Sequence, residues 1–249
     1  MSRNATKDLT TGSPMKLILG FGIPLLFGML FQQFYNMMDT IIVGKFLGVS
    51  ALASVGATGS INFMIIGFCM GVCNGFAIPV AQRFGAKDEH GMRKFVANSV
   101  WLSIIFAVVM AVFVCVFCRQ ILELMNTPED CFDQAYNYIV VIFAGIPFTF
   151  LYNLLSGWLR SLGDSKTPLY AMVIASILNI GLDLLFVMVF HWGIAGAVIA
   201  TVIAQLFAAL YCLRAVLHVK VIHLKKEYFR LNPEIAKRLL GLGTPGAAQ

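Results

Sequence analysis

The chain has 249 residues, of which 59% are hydrophobic and only 12% are charged. A soluble domain of this size carries about a quarter charged residues, so the composition excludes an ordinary water-soluble fold and indicates a membrane protein. The net charge of +6 would by itself suit a nucleic-acid-binding protein. The positions of the basic residues decide between these two classes.

Six apolar segments follow one another, each long enough to cross a ~30 Å hydrocarbon core as a helix. None shows the period-2 alternation of a barrel strand, so we predict an all-α membrane protein. The predicted helices cover approximately residues 17–43, 52–80, 95–117, 134–158, 168–190 and 192–217.

Four helices carry signals for bends or close packing. Pro24 in the first helix and Pro147 after Gly145 in the fourth predict bends. Small residues at four-residue intervals predict faces on which another helix packs closely. These rows are Gly67, Gly71 and Gly75 in the second helix, and Gly196, Ala200, Ala204 and Ala208 in the sixth.

Sixteen of the 18 Lys and Arg residues fall on the side of the membrane that holds the N-terminus. The positive-inside rule makes that side cytoplasmic. The opposite side has only Lys45 and Arg119, and its loop around Cys131 is acidic. We therefore predict a multi-pass protein of the cytoplasmic (inner) cell membrane, in contact with lipid, with a cytoplasmic N-terminus. The basic residues are explained as topology signals, so no nucleic-acid partner is predicted.

The fifth apolar segment contains Asn179 and Asp183, which are four residues apart and share one helix face. A carboxylate at this depth is disfavoured by roughly 3 kcal/mol on insertion scales. It is retained when it faces the interior of a bundle and has something to bind. A structural hydrogen bond to a neighbouring helix is the simpler alternative, and an ion or proton site is the interpretation we favour.

Polar residues of other predicted helices lie at comparable depths. Counted from the outer helix ends at ~1.5 Å per residue, they lie ~8 to ~18 Å inside the membrane. Scattered structural polar groups have no reason to share one layer, so we predict a single site in the outer half of the bundle. The residues in this layer are Asp39, Tyr138, Asn179, Asp183 and Thr201.

A nine-residue pattern, K-x-x-L-G-x-G-x-P, occurs at residues 16–24 and again at 237–245, 221 positions later. The offset is about one six-helix unit, so we expect a second, parallel repeat to begin there and the chain to be half of a larger transporter. The predicted units are a cytoplasmic segment 1–16, a six-helix lobe 17–217, a cytoplasmic linker 218–236 and the start of a seventh helix at 237–249. We expect this last segment to lie at the cytoplasmic interface or to be disordered.

Five segments resemble the multidrug and toxic compound extrusion (MATE) family in order and spacing. They are MDTIIVG at 38–44, QRFGAK at 82–87, RSLGD at 160–164, Asn179-x-x-x-Asp183, and GAVIAT at 196–201. The resemblance implies one lobe of a twelve-helix, two-lobed antiporter whose missing C-terminal half supplies the other lobe. Such a protein exports drug-like cationic or amphipathic small molecules and is driven by H⁺ or Na⁺.

The resemblance also implies a cation site at Asp39, Asn179, Asp183 and Thr201. These four residues offer only oxygen atoms, a set that suits a hard cation such as Na⁺. No catalytic residue is predicted, and no cofactor other than the coupling ion. Further candidates for the cavity or for coupling are Tyr138, Gln32, Asn36 and Gln205.

Three other classes can be weighed against this prediction. A flippase for lipid-linked sugars, in the same superfamily, would favour cationic residues in its cavity, and we expect no Arg or Lys within the spans. A membrane enzyme would need a nucleophile or metal set, but His191, His218 and His223 flank helix ends and Cys115-x-x-Cys118 has no accompanying ligands. A seven-helix receptor is excluded if the internal repeat continues.

Overall fold

The computed structural model describes residues 13–124, 127, 129–222, 226–230 and 232–247. All regular elements of this part of the chain are helical, which confirms the predicted all-α membrane fold. Five helices are long and apolar enough to cross a membrane, and a bent pair brings the number of spans up to six. In chain order the spans are Pro14–Gly48, Ala51–Gly85, Glu89–Leu124, the pair Phe132–Ala144 and Ile146–Ser161, Lys166–Val189, and Gly193–His218. We number these spans as the first to sixth helices.

The first and second helices meet at Gly48, whose dihedral angles are φ 86° and ψ −175°. This conformation is essentially restricted to glycine, so Gly48 marks the break between the two spans. Pro24 does not interrupt the first helix, because the described residues on either side of it keep helical dihedral angles. In a membrane, neighbouring groups and small local adjustments re-satisfy the backbone group that a proline leaves free. The break in the helix therefore lies at Gly48, and the helical dihedral angles continue through Pro24, where we predicted a bend.

The QRFGAK segment, residues 82–87, forms the end of the second helix and the turn that follows it. Lys87 has a φ of 58°, and the N–H groups of Ala86 and Lys87 close the helix on Gln82 and Phe84 carbonyls. Asp88 then caps the third helix by accepting from the Gly91 N–H at 2.8 Å. The Gly91 N–H, followed by the Arg83 guanidinium at 2.7 Å, lowers the pKa of the Asp88 carboxyl below its usual value.

The fourth span is bent by 42° between Phe132–Ala144 and Ile146–Ser161, as predicted from Gly145 and Pro147. Gly145 also allows a close contact with the sixth helix. A β-carbon built at Gly145 would lie 2.7 Å from a methyl group of Val202. The small-residue row of the sixth helix is buried, as predicted, and its members are Gly196, Ala200, Ala204 and Ala208.

The third helix, Glu89–Leu124, presents one broad apolar face outward. Large residues on this face, among them Val109 and Val116, are more than half exposed. Leu102, Ser103 and Ala107 on the other face are buried against the bundle. This division is typical of a helix that faces lipid on one side.

The segment after the sixth helix is attached to the third helix by side chains of that helix. Arg93 donates to the Val221 carbonyl at 2.8 Å, and Trp101 donates to the Phe229 carbonyl at 3.0 Å. Asn98 accepts from the Asn232 N–H at 2.9 Å. Two of these attachment points, Val221 and Phe229, belong to the short 3₁₀ turns Lys220–Ile222 and Lys226–Phe229.

The last described helix is Pro233–Ala247, and it packs against the second helix. Leu239 is fully buried, and a β-carbon built at Gly75 would lie 2.5 Å from the Gly243 α-carbon. The expectation of a disordered tail is therefore wrong for residues 237–247, whereas a place at the cytoplasmic interface stays a prediction. Residues 248–249 lie outside the described part. The physical reason is that glycine on both helices lets the two backbones touch. The boundaries of the four predicted units remain predictions.

Candidate cation site

Three helices bring the four predicted ligands together. Asp39 comes from the first helix, Asn179 and Asp183 from the fifth, and Thr201 from the sixth. The Asn179 side-chain amide donates to the Thr201 hydroxyl over 3.5 Å, and that hydroxyl donates to the Ala197 carbonyl at 3.0 Å. The carboxylates of Asp39 and Asp183 are close enough to interact electrostatically. Asn179 and Asp183 have no exposed surface.

Four oxygen atoms of this cluster are buried and have no hydrogen-bond partner among the described residues. They are Asp39 Oδ1, Asn179 Oδ1 and both carboxylate oxygens of Asp183. Burying an ionised carboxylate without a partner costs several kcal/mol, and a buried amide oxygen without one costs about 1–3 kcal/mol. A bound proton or cation would compensate for these missing partners. The cluster thus has the oxygen ligands of a cation site, and these oxygens lack hydrogen-bond partners among the described residues.

The helix changes its form directly after Asp183. Residues Leu184–Val189 are π-helical, and the Phe190 N–H donates to the Leu185 carbonyl at 3.0 Å. Single turns of this kind occur frequently at functional sites, where they redirect side chains. The ring of Phe186, within this turn, stacks on the ring of Trp192, which follows the turn, with 5.0 Å between the ring centres. Gly196 allows both residues to approach the sixth helix.

Two tyrosines border the cluster. Tyr138 of the fourth span is buried and interacts electrostatically with Asp39 and Asp183, in keeping with its predicted depth. Tyr35 was missed by the sequence analysis. It is buried, and it interacts with the Thr201 side chain and with both carboxylates. The available signal was its position four residues before Asp39, which puts both on one face of the first helix.

The other predicted cavity or coupling residues, Asn36, Gln32 and Gln205, differ in burial and in their distance along the helices from the cluster. Asn36 is exposed and donates to Gln33 at 3.4 Å, so the structure does not bring it into the cluster. Gln32 is half-buried in the first helix. Gln205 lies one turn beyond Thr201, and its Oε1 atom is buried without a protein partner in the described part of the chain.

The helices extend beyond the predicted spans, which corrects the expectation that the spans contain no Arg or Lys. Arg160 lies in the last turn of Ile146–Ser161 and donates to Asn74 at 3.5 Å and to Ser156 at 3.4 Å. Lys45 and Arg119 also lie inside helices, close to their ends. The basic residues thus stand near the membrane boundaries and away from Asp183.

A bundle of helices long enough to span a membrane, around buried carboxylates without partners among the described residues, is typical of a multi-pass membrane transporter. The MatE family model matches residues 24–185, which is more than half of the chain. The chain belongs to the MatE family, a family of transporters and not of enzymes.

Relatives and solved structures agree with this assignment. The chain is 33% identical to the probable multidrug resistance protein YoeA of Bacillus subtilis, over 91% of this chain and 51% of the relative. It is 28% identical to the multidrug export protein MepA of Staphylococcus saprophyticus, over 94% of this chain and 52% of the relative. An outward-facing structure of a multidrug resistance MATE family transporter matches all of this chain and 55% of its own length, with TM-score 0.90 and 29% identity. The chain thus spans about half the length of the curated relatives it matches.

Proposed function

We propose that this chain forms one lobe of a cation-coupled antiporter that exports drug-like amphipathic or cationic compounds across the cytoplasmic membrane. The coupling ion is H⁺ or Na⁺, and it binds at Asp39, Asn179, Asp183 and Thr201. The observation that carries the proposal is the group of buried oxygens at these residues without protein partners in the described chain. Family membership supports transport, and the similarity to the probable multidrug resistance protein YoeA and the multidrug export protein MepA supports multidrug substrates.

The position of Asp39 suggests how ion binding changes the protein. The first helix is buried around Asp39, at Tyr35, Ile42 and Val43, but none of its residues before Tyr35 is buried against the described chain. An ion shared by Asp39 and Asp183 ties the first helix to the fifth, and its loss leaves two unneutralised carboxylates facing each other. An ion that binds one arrangement of the helices better than another shifts the population toward it, which is the requirement for coupling.

The exposed face of the first helix suits an amphipathic substrate. Phe27, Leu30 and Phe34 are each about half exposed and follow one another along this face. Aromatic and aliphatic surfaces of this kind bind varied apolar molecules without strict geometry. A second half, which the internal repeat and the doubled length of the relatives suggest, would supply the opposite wall of the cavity. We expect the 249-residue chain alone to bind the ion weakly and to export nothing.

Transport driven by an imposed gradient tests this proposal. The full-length protein that contains this chain is reconstituted in liposomes, and export of a fluorescent cationic dye is followed under a Na⁺ gradient or a pH gradient. We expect export under one of the two gradients and none without a gradient. Translocation of a lipid-linked sugar analogue, with no dye export under either gradient, would instead support the flippase alternative.

The predicted orientation is tested by labelling Cys131 with a membrane-impermeant thiol reagent. The side chain of Cys131 lies outside the described residues, so the prediction rests on the charge distribution alone. We expect labelling from outside intact cells, and no label at this position in a Cys131→Ser variant. Labelling only after the cytoplasmic face is opened would reverse the topology.

A further inference from the structure

A small cavity lies beside the candidate cation site, between the first, fifth and sixth helices. Its volume is about 10 Å³, and its walls include Tyr35, Met172, Ser176, Ala204 and Gln205. A single buried water needs at least ~10–15 Å³ measured in this way. The cavity is therefore large enough for one water molecule at most, and too small for a substrate.

Tyr35, Ser176 and Gln205 are the polar residues of the cavity wall, and the rest of the wall is apolar. Gln205 Oε1 is buried without a partner among the described residues, and it needs a hydrogen-bond donor. The Ser176 hydroxyl is buried and donates to the Met172 carbonyl at 2.8 Å, so its oxygen is available as an acceptor. A water molecule can donate to both oxygens, and buried water typically satisfies polar groups left over in this way.

The cavity lies on one side of the cation site. Gln205 is one helical turn past Thr201, and Ser176 is about one turn before Asn179. Since the fifth helix begins at Lys166 and the sixth ends at His218, both displacements lead toward the predicted cytoplasmic face. Tyr35 lines the cavity and also interacts with Thr201, so the cavity and the cation site share this residue as a neighbour.

We propose that this cavity is a single-water site, held by Gln205 and Ser176, which hydrates the cation site from the cytoplasmic side. Gln205 is then a positioning residue that prepares release of the coupling ion toward the cytoplasm. A small cation leaving protein oxygens needs replacement oxygen ligands, and a bound water next to Thr201 supplies the first one. The role in ion release rests on the proposed function, whereas the water site itself does not.

X-ray radiolytic footprinting of the full-length protein in lipid nanodiscs tests the water site. Hydroxyl radicals formed from a bound water modify the side chains beside it, so Met172 should be oxidised rapidly although it is buried. In Gln205→Met we expect the oxidation rate of Met172 to fall about 2- to 10-fold, the range for losing one net hydrogen bond. Met110 of the third helix serves as the internal control and should not change.

Two further variants keep the test decisive if Gln205→Met folds poorly. Ser176→Ala should also slow oxidation of Met172, because it removes the second acceptor. Ser103→Ala removes a buried hydroxyl of the third helix that has no partner among the described residues, and it should leave the rate unchanged. Slow oxidation of Met172 in the unsubstituted protein, or an unchanged rate in both cavity variants, overturns the water site.

The role in ion release is measured separately, as the rate of ion-driven dye export in the same variants. A slower rate in Gln205→Met at saturating substrate supports it, and an unchanged rate together with lost Met172 oxidation overturns it. If the unsubstituted protein oxidises at Met172 but shows no ion-driven transport, the proposed function fails while the water site stands. The two failures are therefore distinguishable.

Discussion

Replacing either carboxylate of the candidate site, in Asp39→Asn or Asp183→Asn, should abolish ion-driven export. Asparagine keeps the shape of the side chain but removes the charge that a coupling ion neutralises. Truncating one partner of a buried charge pair costs about 2–5 kcal/mol, so we expect ion binding to weaken roughly 30- to 3,000-fold. The measurement is dye export from liposomes under the gradient that drives the unsubstituted protein.

The same variants should insert and fold normally. A neutral side chain at these positions is easier to bury than a carboxylate, because the carboxylate oxygens lack partners in the described chain. Asp133→Asn is the matched control, since Asp133 is exposed near the start of the fourth span. Export at the normal rate in both site variants would leave only a structural role for the two carboxylates.

A methyl group at Gly75 should detach the last helix from the second. A β-carbon there would lie 2.5 Å from both the Gly243 α-carbon and the Leu242 carbonyl oxygen. These are backbone atoms, so no side-chain rotation relieves the clash and the helices must move apart. We expect Gly75→Ala to lower the free energy of unfolding by about 1–3 kcal/mol, as other overpacking substitutions do. Thermal unfolding in detergent and limited proteolysis between residues 219 and 232 measure the effect.

The second helix provides its own control for this substitution. Gly67 belongs to the same row of glycines, but it is exposed and a β-carbon there meets no atom within 4 Å among the described residues. Gly67→Ala should therefore be neutral, or stabilising by about 0.5–1 kcal/mol because alanine favours the helix. Equal unfolding temperatures and proteolysis rates for the two variants would show that the contact with Gly243 does not hold the last helix.

The sequence alone determined the membrane fold and the approximate spans. A bilayer admits few backbone structures, and its thickness sets the length of an apolar helix. The same constraint made depth calculable, because each residue advances a helix by about 1.5 Å. Asp39, Asn179, Asp183 and Thr201 were placed in one layer in this way, and the structure brings them into one cluster.

Rotation about the helix axis could be decided only by tertiary packing. Neighbouring residues of a helix point about 100° apart. The polar residues of the first helix, Gln32, Asn36 and Asp39, therefore did not show which residues of this helix face the interior of the bundle. Packing buries Tyr35 beside Thr201 and leaves Asn36 exposed, although Asn36 is the more polar of the two. Tyr35 escaped the sequence analysis because a tyrosine in an apolar run looks like ordinary packing.

Close contacts between helix backbones could not be predicted from the sequence either. The rows of small residues indicated faces able to pack closely, but not which partner each would meet. Gly75 meets Gly243 of the last helix, whereas Gly67 in the same row meets open space in the described structure. The order of residues 237–247 was misjudged for this reason: the length of a helix is local, but its anchoring depends on a contact more than 160 residues away along the chain. Local sequence decides what a segment can form, and only the assembled bundle decides what it touches.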